Sequence, residues 1–503
     1  MSANARILRV LPWVALVLGL ALRWSQVPDA RFTGDEGTFF EAAQRIVHDD
    51  FWPVLGPSVS GTEARHPGAT FYYLMAIPNA FGKSPYLSGF FIAALSVASL
   101  LLLVRMVRAT RGEGAALVTA WLAAMSPWTI LYADRIWNSN VAPWLGLLAL
   151  YGVWRMREQQ RSWWAAPTVA ALAVLPQFHL SSPILWAVVL VQLALWRPRV
   201  RWSAVAVGVG IAVLFYAPYL VHELRSDFSN TRAILAEGGG QEVGLLHAAR
   251  GAFYVVLFGT GDAGYHFHTG YWRPYDPFWQ LTRAGISDSL TLYGPILTAF
   301  VALSFAFVTA GWVAGLSLLV RGKDALLRLA RDPVWTALLV GSGAAFALLA
   351  MSHKPAYPHY ANLLLPLGVV PLADGAMLLL SRPRPWLRRV TAALVVGLGV
   401  AFAAIAVRYY EKVDAKVAAS TSLSMVELIH EQQGSEPFRL QFGYFHNGWA
   451  MSKLARWSLG VPWNERRDAR RTFHIREAGD DPDAAARGGG RLWEVGPMWV
   501  IRR

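Results

Sequence analysis

Long apolar runs alternate with short basic connections along most of the chain. A helix needs about 20 apolar residues to cross the hydrocarbon layer of a bilayer, and eleven runs reach or approach that length. The predicted spans cover residues 7–24, 85–104, 113–132, 139–155, 163–177, 183–196, 203–221, 291–320, 333–351, 360–380 and 390–407. Hydrophobic residues make up 55% of the chain and charged residues 16%, so we predict an all-α polytopic membrane protein.

Basic residues orient the predicted spans, because short cytoplasmic loops retain Lys and Arg. They occupy every second connection: Arg6 and Arg9; Arg105, Arg108 and Arg111; Arg155, Arg157 and Arg161; Arg197, Arg199 and Arg201; Arg321, Lys323, Arg328 and Arg331; Arg382, Arg384, Arg388 and Arg389. The N-terminus is therefore predicted to be cytoplasmic. Two long loops, residues 25–84 and 222–290, and the tail after the last span are predicted to lie outside.

The tail, residues 408–503, differs in character from the membrane module predicted for residues 1–407. Residues 438–451 and 491–503 alternate like strands, whereas residues 417–433 have the pattern of a helix. We predict a small extracytoplasmic α/β domain. Acceptor recognition and a contribution to folding stability are equally good interpretations of its role.

Composition excludes several classes of function. The net charge of +14 would suit nucleic acid only if the basic residues gathered on one soluble face, and they lie in loops between spans instead. The absence of cysteine excludes disulfides and thiolate chemistry. No nucleotide-binding glycine pattern is present. The pair His266 and His268 is a weak metal signal, so we predict no metal and no cofactor.

Candidate chemistry concentrates on the predicted outer side, beginning with two adjacent acids. Asp35 and Glu36 follow the first span directly. A carboxylate at a low-dielectric boundary has its basicity raised by desolvation and can take a proton from a hydroxyl. The alternative interpretation is a hydrated helix start, with Asp35 near the N-terminus and Glu36 in the first turn.

Cations and aromatic rings accompany these acids in the outer loops. The candidate substrate-binding residues are His66, Tyr132, Asp134, Arg135, Asn138, Asn140, Tyr271, Trp272, Arg273, Lys354, His359 and Tyr360. A fixed cation such as Arg135, Lys354 or His359 would stabilise the charge on a leaving phosphate, and aromatic rings suit the apolar faces of sugars. We therefore predict sugar transfer from a polyprenyl-phosphate donor, with Asp35 removing the acceptor proton in an inverting displacement.

The order of these motifs resembles a known family. An Asp-Glu pair after the first span, His66-Pro67-Gly68 before an aromatic apolar run, the segment SPWTILYADR at residues 126–135 and a late YPHY at 357–360 are similar to the GT-C superfamily of integral-membrane glycosyltransferases. The branch concerned contains protein O-mannosyltransferases, the lipid A aminoarabinose transferase and transferases of lipopolysaccharide core. The resemblance covers roughly residues 1–380.

The resemblance implies a lipid-linked sugar donor and a first-loop acid as catalytic base, which is Asp35 here, with Glu36 beside it. The family's HPP becomes His66-Pro67-Gly68. Asn140 stands where relatives carry a second acid, and Asp134 either replaces that acid or forms an ion pair with Arg135. The segment 354–360 resembles the part that meets the donor phosphate, with His359 where Arg is frequent.

Two other classes remain as alternatives. A transporter or flippase for a lipid-linked or anionic substrate would place ionisable residues near mid-membrane, and a scaffold or lipid-binding receptor would not need an acid pair opposite outer cations. The Ala- and Arg-rich composition favours a bacterial inner membrane. The acceptor hydroxyl belongs to a glycan, a lipid or a protein, and membrane lipids surround the spans.

Overall fold

The computed structural model describes residues 3–59, 63–236, 245–262, 283–320, 331–352, 357–442, 448–477 and 491–502. Most of these residues are helical. Up to Tyr409 the helices are α1 Ala3–Gln26, α2 Gly34–His48, α3 Thr70–Asn79, α4 Pro85–Arg111, α5 Glu113–Met125, α6 Pro127–Leu131, α7 Asn138–Glu158, α8 Ala165–Val174, α9 Pro183–Trp196, α10 Trp202–Arg225, α11 Ser229–Ala236, α12 Leu245–Leu257, α13 Arg283–Val320, α14 Pro333–Ser352, α15 Leu365–Leu380 and α16 Pro385–Tyr409.

Each of the eleven predicted spans coincides with a helix or a pair of consecutive helices. Within the described ranges, seven helices are long and apolar enough to cross a membrane, and three more, 113–125, 165–177 and 183–196, are apolar but shorter. The chain thus has the helices of a multi-pass membrane protein, as predicted. The number of crossings stays a prediction.

Ion pairs tie the predicted cytoplasmic ends of the helices together. Arg111, the last residue of α4, lies 2.7 Å from the Asp332 carboxylate and 3.2 Å from that of Asp374 in α15. The indole Nε1 of Trp335 donates to Asp374 over 2.9 Å. Asp374 is therefore a partly buried carboxylate held by a cation and an N–H donor, which fits a structural role for this group.

A small α/β domain follows α16, as predicted. It contains helices α17 Ala419–Gln433 and α18 Gly448–Lys453 and strands β1 Arg439–Phe442, β2 Thr472–Glu477, β3 Arg491–Val495 and β4 Met498–Arg502. The sheet order is β1-β2-β4-β3; β1 pairs parallel with β2, and the other two pairings are antiparallel.

Residues 448–451, which the alternation placed in a strand, instead begin α18. This segment packs against α2 as well as within its own domain, because Met451 lies in the domain core with Phe473 and Val500, whereas Ala450 lies in the core of the membrane region. Burial on two sides produced an alternation that looked like that of a strand. Strand β2 was not predicted, because its apolar alternation consists of Phe473 and Ile475 alone.

Candidate functional site

The two adjacent acids lie in the first turn of α2. The sequence of residues 41–50, EAAQRIVHDD, predicts a short amphipathic helix at the membrane interface. The helix begins earlier, at Gly34, because Thr33 and Glu36 form a capping box. The Glu36 Oε2 atom accepts hydrogen bonds from the backbone N of Thr33 over 2.9 Å and from its Oγ1 over 2.8 Å. The earlier start places Asp35 and Glu36 on different sides of one helical turn.

Glu36 is fully buried and forms an ion pair with Arg135. Its Oε1 accepts from Arg135 Nε over 3.0 Å and from Nη2 over 2.5 Å. Burial alone would raise the pKa of Glu36, but Arg135, then Arg31, and the hydrogen bonds from Arg135 and Thr33 outweigh burial and lower it. With four donors on its two oxygens, Glu36 is an ionised, saturated carboxylate.

Asp35 has the opposite surroundings. Its side chain lies on the exposed face of α2, and within the described part of the chain its carboxylate accepts no hydrogen bond. Desolvation by the surrounding protein raises the pKa of Asp35 first, and the Glu36 charge raises it further; Arg135 and Arg31 oppose both effects. Asp35 is thus the more basic of the two acids and the one with free oxygens, as a general base requires.

Arg135, predicted as a phosphate-binding cation, is 6% exposed. Its guanidinium also lies over the Trp137 ring, 4.9 Å from the centroid. The side-chain amide of Asn140 donates to the backbone O of Arg135 over 3.3 Å, which holds the turn that carries this arginine. Arg135 is therefore held beside Glu36 by the Trp137 ring and, through its backbone, by Asn140.

Asp134 is buried and accepts a hydrogen bond from the Tyr410 hydroxyl. Tyr410 begins a π-helical turn, Tyr410–Asp414, that links α16 to the C-terminal domain. The fully buried Arg23, near the end of α1, lies within electrostatic reach of both groups and donates to Thr129 Oγ1 over 2.8 Å. Sequence reasoning missed Arg23, although an arginine at the predicted outer end of a span is a recognisable departure from the positive-inside trend.

His66 holds a fixed, neutral tautomer. Its Nδ1 lies 3.2 Å from the backbone O of Pro176, and its Nε2 lies 3.3 Å from Nδ2 of Asn138, which also donates to Phe178 O over 2.7 Å. A carbonyl on one side and an amide N–H on the other assign the proton to Nδ1. Burial lowers the pKa of His66 to about 4, against the weaker effect of the Pro176 contact.

Gly68 has a backbone conformation that a proline, which the resembled motif carries at this position, could not adopt. Its φ of +122° lies far from the φ of a proline. A Cβ at this position would stand 2.3 Å from Oε1 of Gln177. That same oxygen accepts from Thr70 N over 3.3 Å and from the Thr70 hydroxyl. Gln177, which sequence reasoning missed, therefore fixes the turn after His66 and the start of α3.

The cluster predicted near the end of the membrane region, residues 357–360, lies beside Trp137, the ring that Arg135 also contacts. The His359 ring is 5.0 Å from Trp137, 5.8 Å from His179 and 4.5 Å from Tyr360, and it stacks on Tyr357 at 5.5 Å. The pKa of His179 lies well below its usual range, mainly because the ring is buried and in addition because His359 and His66 are near. The structure thus places His179, Tyr357 and Tyr360 around His359, whose ring contacts Trp137.

Tyr132 completes the buried part of the site. Its ring stacks on Trp128 at 6.4 Å and is tilted against Trp137 at the same distance. Together with Asn140 and Thr129 it lines a small internal cavity that also touches α4 and α15. Tyr132 and Asn140 therefore line an internal cavity, whereas Asp35 lies on the exposed face of α2.

Solved structures with a similar fold exist, although no protein-family model and no curated protein sequence matches the chain. The fold aligns with ArnT from Cupriavidus metallidurans bound to undecaprenyl phosphate, at a TM-score of 0.57 and 12% identity over 100% of this chain and 98% of that chain. The apo state of that protein aligns at 0.54 and 13% identity over the same shares. The Archaeoglobus fulgidus oligosaccharyltransferase in complex with Zn and sulfate aligns at 0.50 and 12% identity over 88% of this chain and 61% of that chain.

The chain has a GT-C fold. This confirms the resemblance inferred from the motifs as far as the fold is concerned, because a likeness at such low identity speaks of architecture alone. The site geometry above belongs to this chain's own residues.

Four of the predicted site residues lie outside the described residues: Tyr271, Trp272, Arg273 and Lys354. His266 and His268, the weak metal signal, lie outside them as well. Among the described ranges, no group of three or more His, Asp or Glu side chains is arranged to hold a metal ion.

The C-terminal domain contacts the chain on both sides of the acid pair. Phe32 N donates to Val417 O over 2.8 Å, and Ala419 N donates to Ala30 O over 3.0 Å, so residues 417–419 form a short bridge just before α2. Beyond the acids, Lys453 of α18 pairs with Glu41 at 2.8 Å. Sequence reasoning did not foresee this contact, because residues 30–41 and 417–453 are separated by almost the whole chain.

Proposed function

We propose that the chain is an inverting glycosyltransferase that moves a sugar from a polyprenyl-phosphate donor to an acceptor hydroxyl at the extracytoplasmic face of a bacterial inner membrane. The observation that carries this proposal is the difference between the surroundings of the two acids. Glu36 is saturated by Arg135 and Thr33, which leaves Asp35 as a free carboxylate with a raised pKa. The GT-C fold, shared with ArnT bound to undecaprenyl phosphate, supports a lipid-linked donor.

In the proposed reaction, a carboxylate oxygen of Asp35 takes the proton of the acceptor hydroxyl. The acceptor oxygen forms a bond to the anomeric carbon of the donor sugar while the bond from that carbon to the phosphate oxygen breaks. The leaving group is the polyprenyl phosphate, and attack from the opposite side inverts the anomeric configuration. A base positioned in this way contributes roughly 10²–10⁴-fold to the rate.

The described contacts divide the predicted cations into two groups. The charge of Arg135 is compensated by Glu36 at 2.5 Å, so we assign Arg135 and Glu36 to the positioning of Asp35. The phosphate role then falls to His359, whose ring also contacts Trp137, with Lys354 as the further candidate. Tyr357 and Tyr360 frame His359 and offer ring faces and hydroxyls to the donor.

Purified protein in lipid nanodiscs tests this function. We expect undecaprenyl phosphate or its glycosyl derivative to copurify and to be identified by mass spectrometry. Addition of labelled undecaprenyl-phosphate sugars and envelope extract should give a labelled product whose anomeric configuration is opposite to that of the donor.

The same donors sealed inside proteoliposomes distinguish the transporter alternative. Movement of intact glycolipid across the bilayer, without cleavage of the sugar–phosphate bond, would replace the transferase proposal with a flippase. Retention of anomeric configuration in the product would exclude the single displacement.

A further inference from the structure

The exposed face of α2 continues directly onto an aromatic ring of the C-terminal domain. Asp35 and Thr38 are both exposed on α2 and are one turn apart, a spacing that places their Cβ atoms about 5–6 Å from each other. The indole Nε1 of Trp449 donates to Thr38 Oγ1 over 3.2 Å. Trp449 is nevertheless 53% exposed. An open indole surface thus lies beside the carboxylate of the proposed base.

The Trp449 ring is fixed in place by its own helix. The Lys453 ammonium lies 3.7 Å from the ring centroid and pairs with Glu41 of α2 at 2.8 Å. One face of the indole is therefore covered by a cation, and the exposed fraction of the ring leaves area for a ligand. A rigid ring with one covered face loses little conformational entropy when a ligand packs on it.

Close packing of α18 on α2 sets the distance between the ring and the acid. A Cβ at Gly37 would stand 3.0 Å from the Cα of Ala450. The two backbones are thus nearly in contact two residues after Asp35, and any side chain at Gly37 would push Trp449 away. Glycine at this position preserves the approach.

We propose that Trp449 is the platform for the acceptor, and that the acceptor is a glycan whose pyranose ring packs on the exposed indole and presents a hydroxyl to Asp35. This inference rests on the proposed transferase function. A flat apolar ring bordered by a hydroxyl, an ammonium and a carboxylate, those of Thr38, Lys453 and Glu41, matches a sugar, which has apolar C–H faces and a rim of hydroxyls. A peptide would not require a flat ring, and a lipid tail would not require the polar rim.

The platform can be tested by measuring two reactions, sugar transfer and donor hydrolysis, on the same full-length protein. The donor is labelled undecaprenyl-phosphate sugar, and the acceptor probes are a pool of delipidated envelope oligosaccharides and a pool of Ser- and Thr-containing peptides. Transfer to each pool and slow donor hydrolysis by water are measured for the wild type, Trp449→Leu and Trp449→Phe. Trp386→Leu, which removes an exposed indole at the predicted cytoplasmic face, is the matched control.

We expect transfer to oligosaccharides. For Trp449→Leu, the oligosaccharide concentration at half-saturation should rise about tenfold or more, while donor hydrolysis and the donor concentration at half-saturation stay unchanged. Trp449→Phe, which keeps a ring face, should recover most of the loss, and Trp386→Leu should behave as the wild type. A fall in the donor reaction together with the melting temperature would indicate only a folding role for the ring and would overturn the proposal.

Three further results would overturn the platform: preference for the peptide pool, donor hydrolysis without transfer to any oligosaccharide, or an unchanged acceptor dependence in Trp449→Leu. None of them would contradict the proposed transferase function. Failure of the wild type to cleave any donor would contradict the proposed function itself.

Discussion

Two arginines, one at each predicted face of the membrane, each lie near two acids, and the two groups differ in how those acids are bound. At the inner face, Arg111 pairs with both Asp332 and Asp374, at 2.7 Å and 3.2 Å. At the outer face, Arg135 pairs with Glu36 at 2.5 Å, and Asp35, the neighbouring acid, accepts no hydrogen bond from the described residues.

One acid of each pair has the same structural task. Asp332 accepts from the backbone N atoms of Val334 and Trp335, both over 3.0 Å, and so caps α14. Glu36 belongs to the capping box of α2. In both places one carboxylate accepts hydrogen bonds at a helix N-terminus and pairs with a guanidinium at the same time, which compensates the charge of the arginine.

The second acid makes the difference. Asp374 is held by Arg111 and by the Trp335 indole, so its oxygens are occupied. Asp35 is left with free oxygens at an exposed helix face and a raised pKa. The comparison teaches that a pair of acids beside an arginine is structural where both are saturated, and is a candidate for chemistry where one is left over.

The largest effect should come from Asp35→Asn. Since the amide keeps the shape but cannot take a proton, transfer should fall by about 10²–10⁴-fold. The melting temperature should be unchanged, because no hydrogen bond within the described structure is lost. Initial rates with labelled undecaprenyl-phosphate sugar measure the first effect, and thermal unfolding in detergent measures the second.

Glu36→Gln should instead act mainly on stability. The substitution leaves the Arg135 guanidinium buried without its countercharge, which costs about 3–5 kcal/mol. Thermal and denaturant unfolding should show this loss, and the folded fraction should retain transfer at well above the level of Asp35→Asn. A stable Glu36→Gln protein would show that the pair does not hold this part of the fold.

Asp374→Asn is the inner counterpart, with a smaller expected effect. Arg111 keeps Asp332 as its partner, so the loss should be about 1–3 kcal/mol. Transfer per folded molecule should not change, because the inner group is remote from the proposed chemistry. A drop in transfer at constant folded fraction would remove the distinction between the two groups.

The smallest effect is a displacement of the pH profile. Asp35 must be ionised to act, so kcat/KM should fall as the pH drops through its pKa. Desolvation by the surrounding protein and the charge of Glu36 raise this pKa above that of an ordinary aspartate. In Glu36→Gln the Glu36 charge is gone while Arg135 and Arg31 remain, so the pKa of Asp35 should decrease and the acid limb should move to lower pH. An unchanged or opposite displacement would assign that limb to another group.

Hydropathy was enough to predict the membrane helices, because burial in lipid imposes long apolar runs. The α/β character of the tail was predicted from its alternating and helical patterns. The position of Asp35 at the start of an outer loop was also visible in the sequence. The partner of Glu36 was not, because Arg135 is 99 residues away and nothing local distinguishes an arginine that binds phosphate from one that binds a carboxylate.

Other site features depended on packing that no local pattern encodes. The contact of Gln177 with Gly68 and the approach of Ala450 to Gly37 join segments far apart in the chain. The strand predicted over 448–451 was wrong for the same reason, since two separate partners bury α18. A sequence pattern indicates which face of an element is buried, but it does not identify the segment that covers this face.

The central claim is that Asp35 takes the proton and that Glu36 and Arg135 only hold it in place. The most direct test measures sugar transfer per folded molecule for Asp35→Asn and Glu36→Gln side by side, in one lipid preparation and with one donor. We predict that Asp35→Asn is fully folded and almost inactive, whereas Glu36→Gln is less stable and active where it is folded. Full transfer by Asp35→Asn, or equal loss of transfer per folded molecule in both variants, would contradict this account.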